Sequence, residues 1–137
     1  TIPKQQVGFG TPTLTGISDD VNNTYKVQFG DYIKIGNIIT VRARIDLIDS
    51  INSTGNLIIK GLPYAASKKK LDKTSLVAST VVSQISKINV NELVLAEIDT
   101  GSDVIMLRKL IGSNKTYLQA NDINNDASIA FTLTYQI

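Results

Sequence analysis

Apolar and polar residues alternate over long stretches of this chain, with a period of two. Residues 38–47, IITVRARIDL, set Ile39, Val41, Ala43, Ile45 and Leu47 against Thr40, Arg42, Arg44 and Asp46. That is the signature of a strand with one face buried. The closing SIAFTLTYQI, residues 128–137, does the same with Ile129, Phe131, Leu133, Tyr135 and Ile137. TYKVQF, residues 24–29, places Tyr25, Val27 and Phe29 opposite Lys26 and Gln28, and after Gly30-Asp31 the pattern resumes with Ile33 and Ile35 opposite Tyr32 and Lys34. Gly36-Asn37 between two such runs predicts a two-residue hairpin turn, because that turn needs positive φ. Gly30-Asp31 predicts a bend, a bulge or a second turn.

Further along, STGNLIIKGLPYA (53–65) predicts a turn and a short strand that stops at Gly61-Leu62-Pro63, since proline cannot donate to a ladder. Residues 74–88, TSLVASTVVSQISKI, fit a helical stripe at Val77, Val81, Ile85 and Ile88, but their β-branched content favours strand. ELVLAEID (92–99) and DVIMLRKLI (103–111) flank Thr100-Gly101-Ser102, a second hairpin signal. The total is eight or nine strands and no convincing helix, which predicts an all-β antiparallel sandwich, jelly roll or barrel.

Length and composition narrow the function. At 137 residues the chain is expected to be a single domain spanning 1–137, able to bury a substantial core. It has no run long enough for a membrane helix and no visible signal peptide, so no membrane insertion is expected. The only methionine is Met106, so the chain is expected to be a processed product or a piece of a longer protein. A net charge of +2 is too small for a nucleic-acid footprint. Lys68, Lys69, Lys70 and Lys73 form a basic cluster without interleaved aromatic residues, the pattern of a solvated loop. Cysteine, histidine and tryptophan are all absent. Thiolate nucleophiles, imidazole bases and zinc–sulfur sites are thereby excluded, as is the best sugar-stacking side chain.

Five segments carry a resemblance. TPTLTG (11–16), YKVQFGDYIKIGNIITV (25–41), STGNLIIKGLPY (53–64), LVLAEIDTGSDVIML (93–107) and SIAFTLTYQI (128–137) occur in the order found in a β-sandwich module. The sequence resembles the C-terminal domain of bacteriophage tail fibre and tailspike proteins, the receptor-binding proteins of the virion. In that family an aromatic residue stands directly before T-P, whereas here Gly10 holds the place and Phe9 precedes it. The resemblance implies a jelly-roll-like sandwich, a homotrimer at the tip of a fibre or tailspike, and an extracellular location on the virion. It implies host attachment through a bacterial surface polysaccharide or another receptor, with trimerisation of the preceding shaft as the alternative role. Gly30, Gly36, Asn37, Gly61 and Pro63 would set turns, and Tyr32 and Tyr64 would pack. Outward-facing Ile38 and Tyr32 are the candidates for a subunit interface.

Glycan binding asks for an aromatic face beside groups that satisfy hydroxyls. GSNKTYLQAND (112–122) offers Ser113, Asn114, Lys115, Tyr117, Gln119, Asn121 and Asp122, which form the candidate glycan- or receptor-binding set. NDINND (121–126) spaces Asp122, Asn124 and Asp126 like the start of a calcium loop, but Ala127 and Leu133 stand where that loop needs glycine and glutamate. A polar turn is expected there, with no metal and no cofactor. Asp19, Asp20, Asp46, Asp49, Glu92, Glu97, Asp99 and Asp103 could in principle pair for glycoside hydrolysis, but nothing in the sequence says which approach each other; solvated carboxylates are expected, and the chain is not expected to be an enzyme.

Overall fold

A computed structural model describes residues 5–17, 24–48, 55–67, 76–80, 82–84, 92–99, 101–123 and 127–137. Among these the backbone forms eleven strands and one short 3₁₀ turn, Ala120–Asp122. The strands are β1 (Gln5–Gly10), β2 (Thr13–Gly16), β3 (Tyr25–Ile35), β4 (Ile38–Leu47), β5 (Leu57–Lys60) and β6 (Leu76–Thr80), followed by β7 (Val82–Gln84), β8 (Glu92–Asp99), β9 (Ile105–Ile111), β10 (Asn114–Tyr117) and β11 (Ser128–Gln136). They make two antiparallel sheets, ordered β1-β3-β4-β11-β7 and β2-β5-β9-β8-β6, with β10 paired to β9. The antiparallel β-sandwich expected from the alternation is the fold. The stretch 74–88 supplies the strands β6 and β7, where β-branched residues outweigh the helical spacing.

The core lies between the sheets and is built from the alternating faces. Ile39, Val41, Ile45 and Leu47 of β4 and Ile129, Phe131, Leu133 and Tyr135 of β11 face Leu14, Leu57, Ile59, Val94, Ala96, Ile98, Ile105 and Leu107 of the other sheet, all of them buried. The Gly36-Asn37 turn stands as expected, with Gly36 at φ 61° and Ile35 directly opposite Ile38.

Two expectations for β3 are corrected. Gly30-Asp31 is neither a bend nor a turn, for β3 runs through it and its register shift lies between Tyr25 and Val27. Tyr25 faces inward as expected, but beyond the register shift the buried face is the opposite one. Tyr25, Gln28, Gly30, Tyr32 and Lys34 turn inward, while Phe29, Ile33 and Ile35 are exposed. The two-residue turn is the reason. It sets Ile35 opposite Ile38 and Ile33 opposite Thr40, so β3 must follow the face that β4 chooses. The unbroken apolar row of β4 decides that choice. Tyr32 therefore leaves the outward set, while Ile38 stays in it at 45% exposure.

The polar inner face of β3 is matched by what lies beneath it. Between β1 and β2 the chain crosses from one sheet to the other through Thr11-Pro12. The Gln28 amide donates to the Pro12 carbonyl at 2.8 Å, and the Leu14 N–H donates to the Tyr25 hydroxyl at 3.1 Å. Gly30 and Gly61 flank this crossing. A Cβ at Gly30 would stand 3.2 Å from Pro12, and one at Gly61 would stand 2.3 Å from the Thr11 carbonyl oxygen. Both glycines serve close approach of backbone to the crossing, rather than a turn at position 30.

Beside the crossing, the Tyr32 ring covers Gly8 and meets Tyr64 edge-on, with centroids 6.0 Å apart and planes at 86°. Both tyrosines pack, as expected. Buried Tyr135 donates its hydroxyl to the Tyr64 carbonyl at 2.6 Å, tying the 61–67 segment to β11. Burial pushes the Tyr135 pKa up from 10.0 to about 12. Its neutral form is thus favoured in the fold. That stabilisation is whole below pH 10 and is lost as pH rises towards 12, amounting to about 2 kcal/mol. Tyr135→Phe is expected to cost about 1 kcal/mol at neutral pH. It should also remove this portion of the alkaline decline, as read from urea midpoints of the two proteins between pH 8 and 11. Parallel decline in both proteins would exclude Tyr135 as the source.

Candidate functional site

The candidate segment 112–122 folds as a hairpin arm and a 3₁₀ turn, and its seven residues do not converge. Gly112, at φ 58°, and Ser113 make the turn that sets Asn114 opposite Ile111. Ser113 and Asn114 are exposed at the tip. Lys115 and Tyr117 project from β10 onto the outer face of the β2-β5-β9-β8-β6 sheet. Gln119 and Asp122 belong to the 3₁₀ turn, and Asn121 has no described side-chain environment.

Glu97 organises that outer face. In β8, Val94, Ala96 and Ile98 point into the core, so Glu97 points away from it, yet only 1% of the residue is exposed. Two cations flank it, and an aromatic ring lies against one of them. Lys115 Nζ lies 2.8 Å from Glu97 Oε1, and Arg108 Nη1 lies 3.6 Å from Oε2. The Arg108 guanidinium sits 4.0 Å from the centroid of Tyr117, its directly opposite neighbour on β10. One face of Tyr117 is therefore occupied, although 37% of the residue remains exposed. Glu97 Oε2 and Arg108 Nε have no hydrogen-bond partner. The cluster was visible in the sequence only as scattered charges, because its members come from three strands.

The second group is separate. Asp122 accepts from the Gln119 N–H at 2.9 Å and from Lys109 Nζ at 3.0 Å, while the Gln119 amide reaches Asn56 Oδ1 at 3.4 Å. Asp122 is thereby committed to the turn and to Lys109. Asn124 and Asp126, the remaining members of the calcium-like spacing, lie outside the described residues, as does the Lys68–Lys73 cluster. Among the described residues no three acidic, histidine or cysteine side chains are grouped to hold a metal, and no helix is long and apolar enough to cross a membrane.

A cleft opens between the sheets beside the crossing, lined by Gly10, Pro12, Gly30, Tyr32, Gly61 and Leu62 among others. About 30 Å³ of it is open to the centres of water-sized spheres, room for one or two ordered water molecules.

The outer face of the β1-β3-β4-β11-β7 sheet carries, beside the expected Ile38, exposed apolar residues that the sequence reading missed. Val7 is 66% exposed, Ile33 47%, Ile35 48% and Ile38 45%. Val7 stands opposite Ile33 and Ile35 opposite Ile38, so the four form one apolar block. Phe29 continues it at 45% exposure. Beside the block, Arg42 pairs with Asp31 across the strands and Arg44 with Asp46 along β4. Hydrogen bonding to Arg44 holds the Asp46 carboxyl below its ordinary 3.8 against the opposing effect of burial, with Ser128 contributing. The stabilisation from Asp46 is present above that ordinary value and fades as pH falls through the lowered one. The outward turn of β3 could have been read from the length of the Gly36-Asn37 turn, had β3 and β4 been treated as a pair.

No family model matches the chain. No curated protein matches it either. Among solved structures, the Dettilon tailspike protein superposes with a TM-score of 0.78 at 18% identity, over 96% of this chain and 24% of that one. The fold is thus that of a part of a phage tailspike protein, and the chain spans about a quarter of that protein's length.

Proposed function

We propose that this chain is a module of a bacteriophage tail fibre or tailspike that binds a host-surface glycan or other receptor as a homotrimer. The likeness to a tailspike over 96% of the chain carries the reading, together with the ordered motifs along the sequence. In this reading the module stands at the C-terminal end of its parent, outside the cell on the virion tail. Contacts of each subunit are weak, and threefold repetition raises the avidity where sites can engage together. The exposed tip at Ser113 and Asn114, with the open part of Tyr117, supplies the polar and aromatic groups. Lys115, Gln119 and Asp122 hold that arm in place through their ion pairs and hydrogen bonds. The module has no catalytic role here; release of reducing ends from purified capsule by this chain alone would overturn that.

The test is adsorption. Fluorescently labelled chain should decorate cells of strains that the parent phage infects, and an excess of unlabelled chain should compete. An Asn114→Ala/Tyr117→Ala variant should lose most of the signal while keeping its unfolding midpoint within about 1 kcal/mol. Absence of binding to every susceptible strain would remove the receptor role. It would favour the second reading, a trimerisation and assembly module of the shaft without receptor contact. The commitment of Lys115, Gln119 and Asp122 to internal contacts supports that alternative.

A further inference from the structure

We infer that the outer face of the β1-β3-β4-β11-β7 sheet, centred on Val7, Ile33, Ile35 and Ile38, is the surface on which copies of this chain meet. This rests on the trimeric reading and gives it a location. An antiparallel sheet with one wet side normally alternates apolar and polar residues so that the wet side is polar. Here β1, β3 and the start of β4 break that rule at adjacent, cross-paired positions. With Phe29, the exposed side chains present on the order of 400 Å² of apolar surface, at the scale where a patch marks an interaction site.

The size and charge of the face fit a second copy as its occupant. A standard interface takes about 800 Å² from each partner, roughly 60% of it apolar. The apolar block supplies about half of that area. The adjoining rows of Arg42, Arg44, Thr132 and Thr134 supply a polar remainder. Both arginines on the face already pair with Asp31 and Asp46 on the same face, and the exposed Lys26 also acts on Asp46, so little uncompensated charge opposes the approach of a second copy. A face whose charges are largely paired internally suits its own copy better than a charged partner. A closed ring brings one face of every copy to the axis. The opposite outer face also exposes Leu93 at 52% and Tyr117 at 37%, but Arg108 already occupies one side of Tyr117, and β10 on that face leads to the proposed receptor-binding tip, which must stay open.

Mass by light scattering over a dilution series tests this with the whole chain. Wild type should have the mass of three chains, and Ile33→Glu/Ile38→Glu should fall to one while still unfolding cooperatively. A second arm does not depend on that variant folding. The chain has no cysteine, so Thr132→Cys at the rim of the proposed face and Leu93→Cys on the opposite outer face each give one label site. Pyrene at position 132 should show excimer emission, and pyrene at 93 should not. A trimeric wild type with a trimeric glutamate variant, or with excimer only at 93, overturns the interface and leaves the trimer standing. A wild type of one chain at every concentration overturns the trimer and the interface together.

Discussion

Gly61→Ala is expected to lower stability by about 3 kcal/mol, whereas Gly112→Ala is expected to cost under about 1 kcal/mol. Both glycines have positive φ, 97° at Gly61 and 58° at Gly112. The second value lies where an L residue is tolerated at modest cost, and a Cβ there meets nothing within 4 Å. The first lies outside that region, and its Cβ would stand 2.3 Å from the Thr11 carbonyl oxygen. That contact is with backbone, so no rotamer relieves it. The Thr11-Pro12 crossing must move, and with it the Gln28 hydrogen bond to Pro12. Alanine also stiffens the unfolded chain, which recovers about 0.5 kcal/mol in both variants. Urea titrations should show the midpoint of Gly61→Ala well below that of Gly112→Ala at unchanged slope. Equal midpoints would mean that the crossing yields easily, and that Gly61 is simply a turn residue.

The second large effect lies at Glu97. Removing a buried carboxylate strands its cations, and removing a cation strands the carboxylate. Glu97→Leu is expected to cost about 2–3 kcal/mol, because Arg108, only 16% exposed along its side chain, loses its counter-ion. Arg108→Met should cost about as much, less whatever Lys115 still compensates. The double variant Glu97→Leu/Arg108→Met should return to within about 1 kcal/mol of wild type, since Lys115 is 35% exposed and can turn to water. A coupling of about 2 kcal/mol or more in this cycle is the expected reading. Additive losses would show that Glu97 is held by packing alone. The same variants bear on the candidate site, because Arg108 supports Tyr117. Reduced adsorption by the double variant Glu97→Leu/Arg108→Met, the one expected to keep its stability, would show that the cluster positions the exposed Tyr117 ring.

Much of this architecture is written in the sequence. The rows at Ile39–Leu47 and Ile129–Tyr135 each have an unbroken period of two, so strand identity and buried face follow from either row alone. Gly36 and Gly101 mark hairpins because few other residues accept their positive φ. The candidate segment was legible as chemistry and not as geometry. Its spacing placed seven polar and aromatic residues in one stretch, but β10 and the 3₁₀ turn send them to different surroundings.

What a local pattern determines is which residues can share a face, because that depends only on chain geometry. Tertiary structure decided which of two possible faces β3 buries, since the hairpin register ties it to the stronger pattern of β4. It decided that Gly30 and Gly61 make room for Thr11-Pro12, a contact between segments far apart in sequence. It also joined Glu97, Arg108 and Lys115 from three strands, and gathered Val7, Ile33, Ile35 and Ile38 into one exposed block. Each of these joins separate segments of the chain, and their placement is fixed by the burial of the whole sandwich rather than by any segment alone.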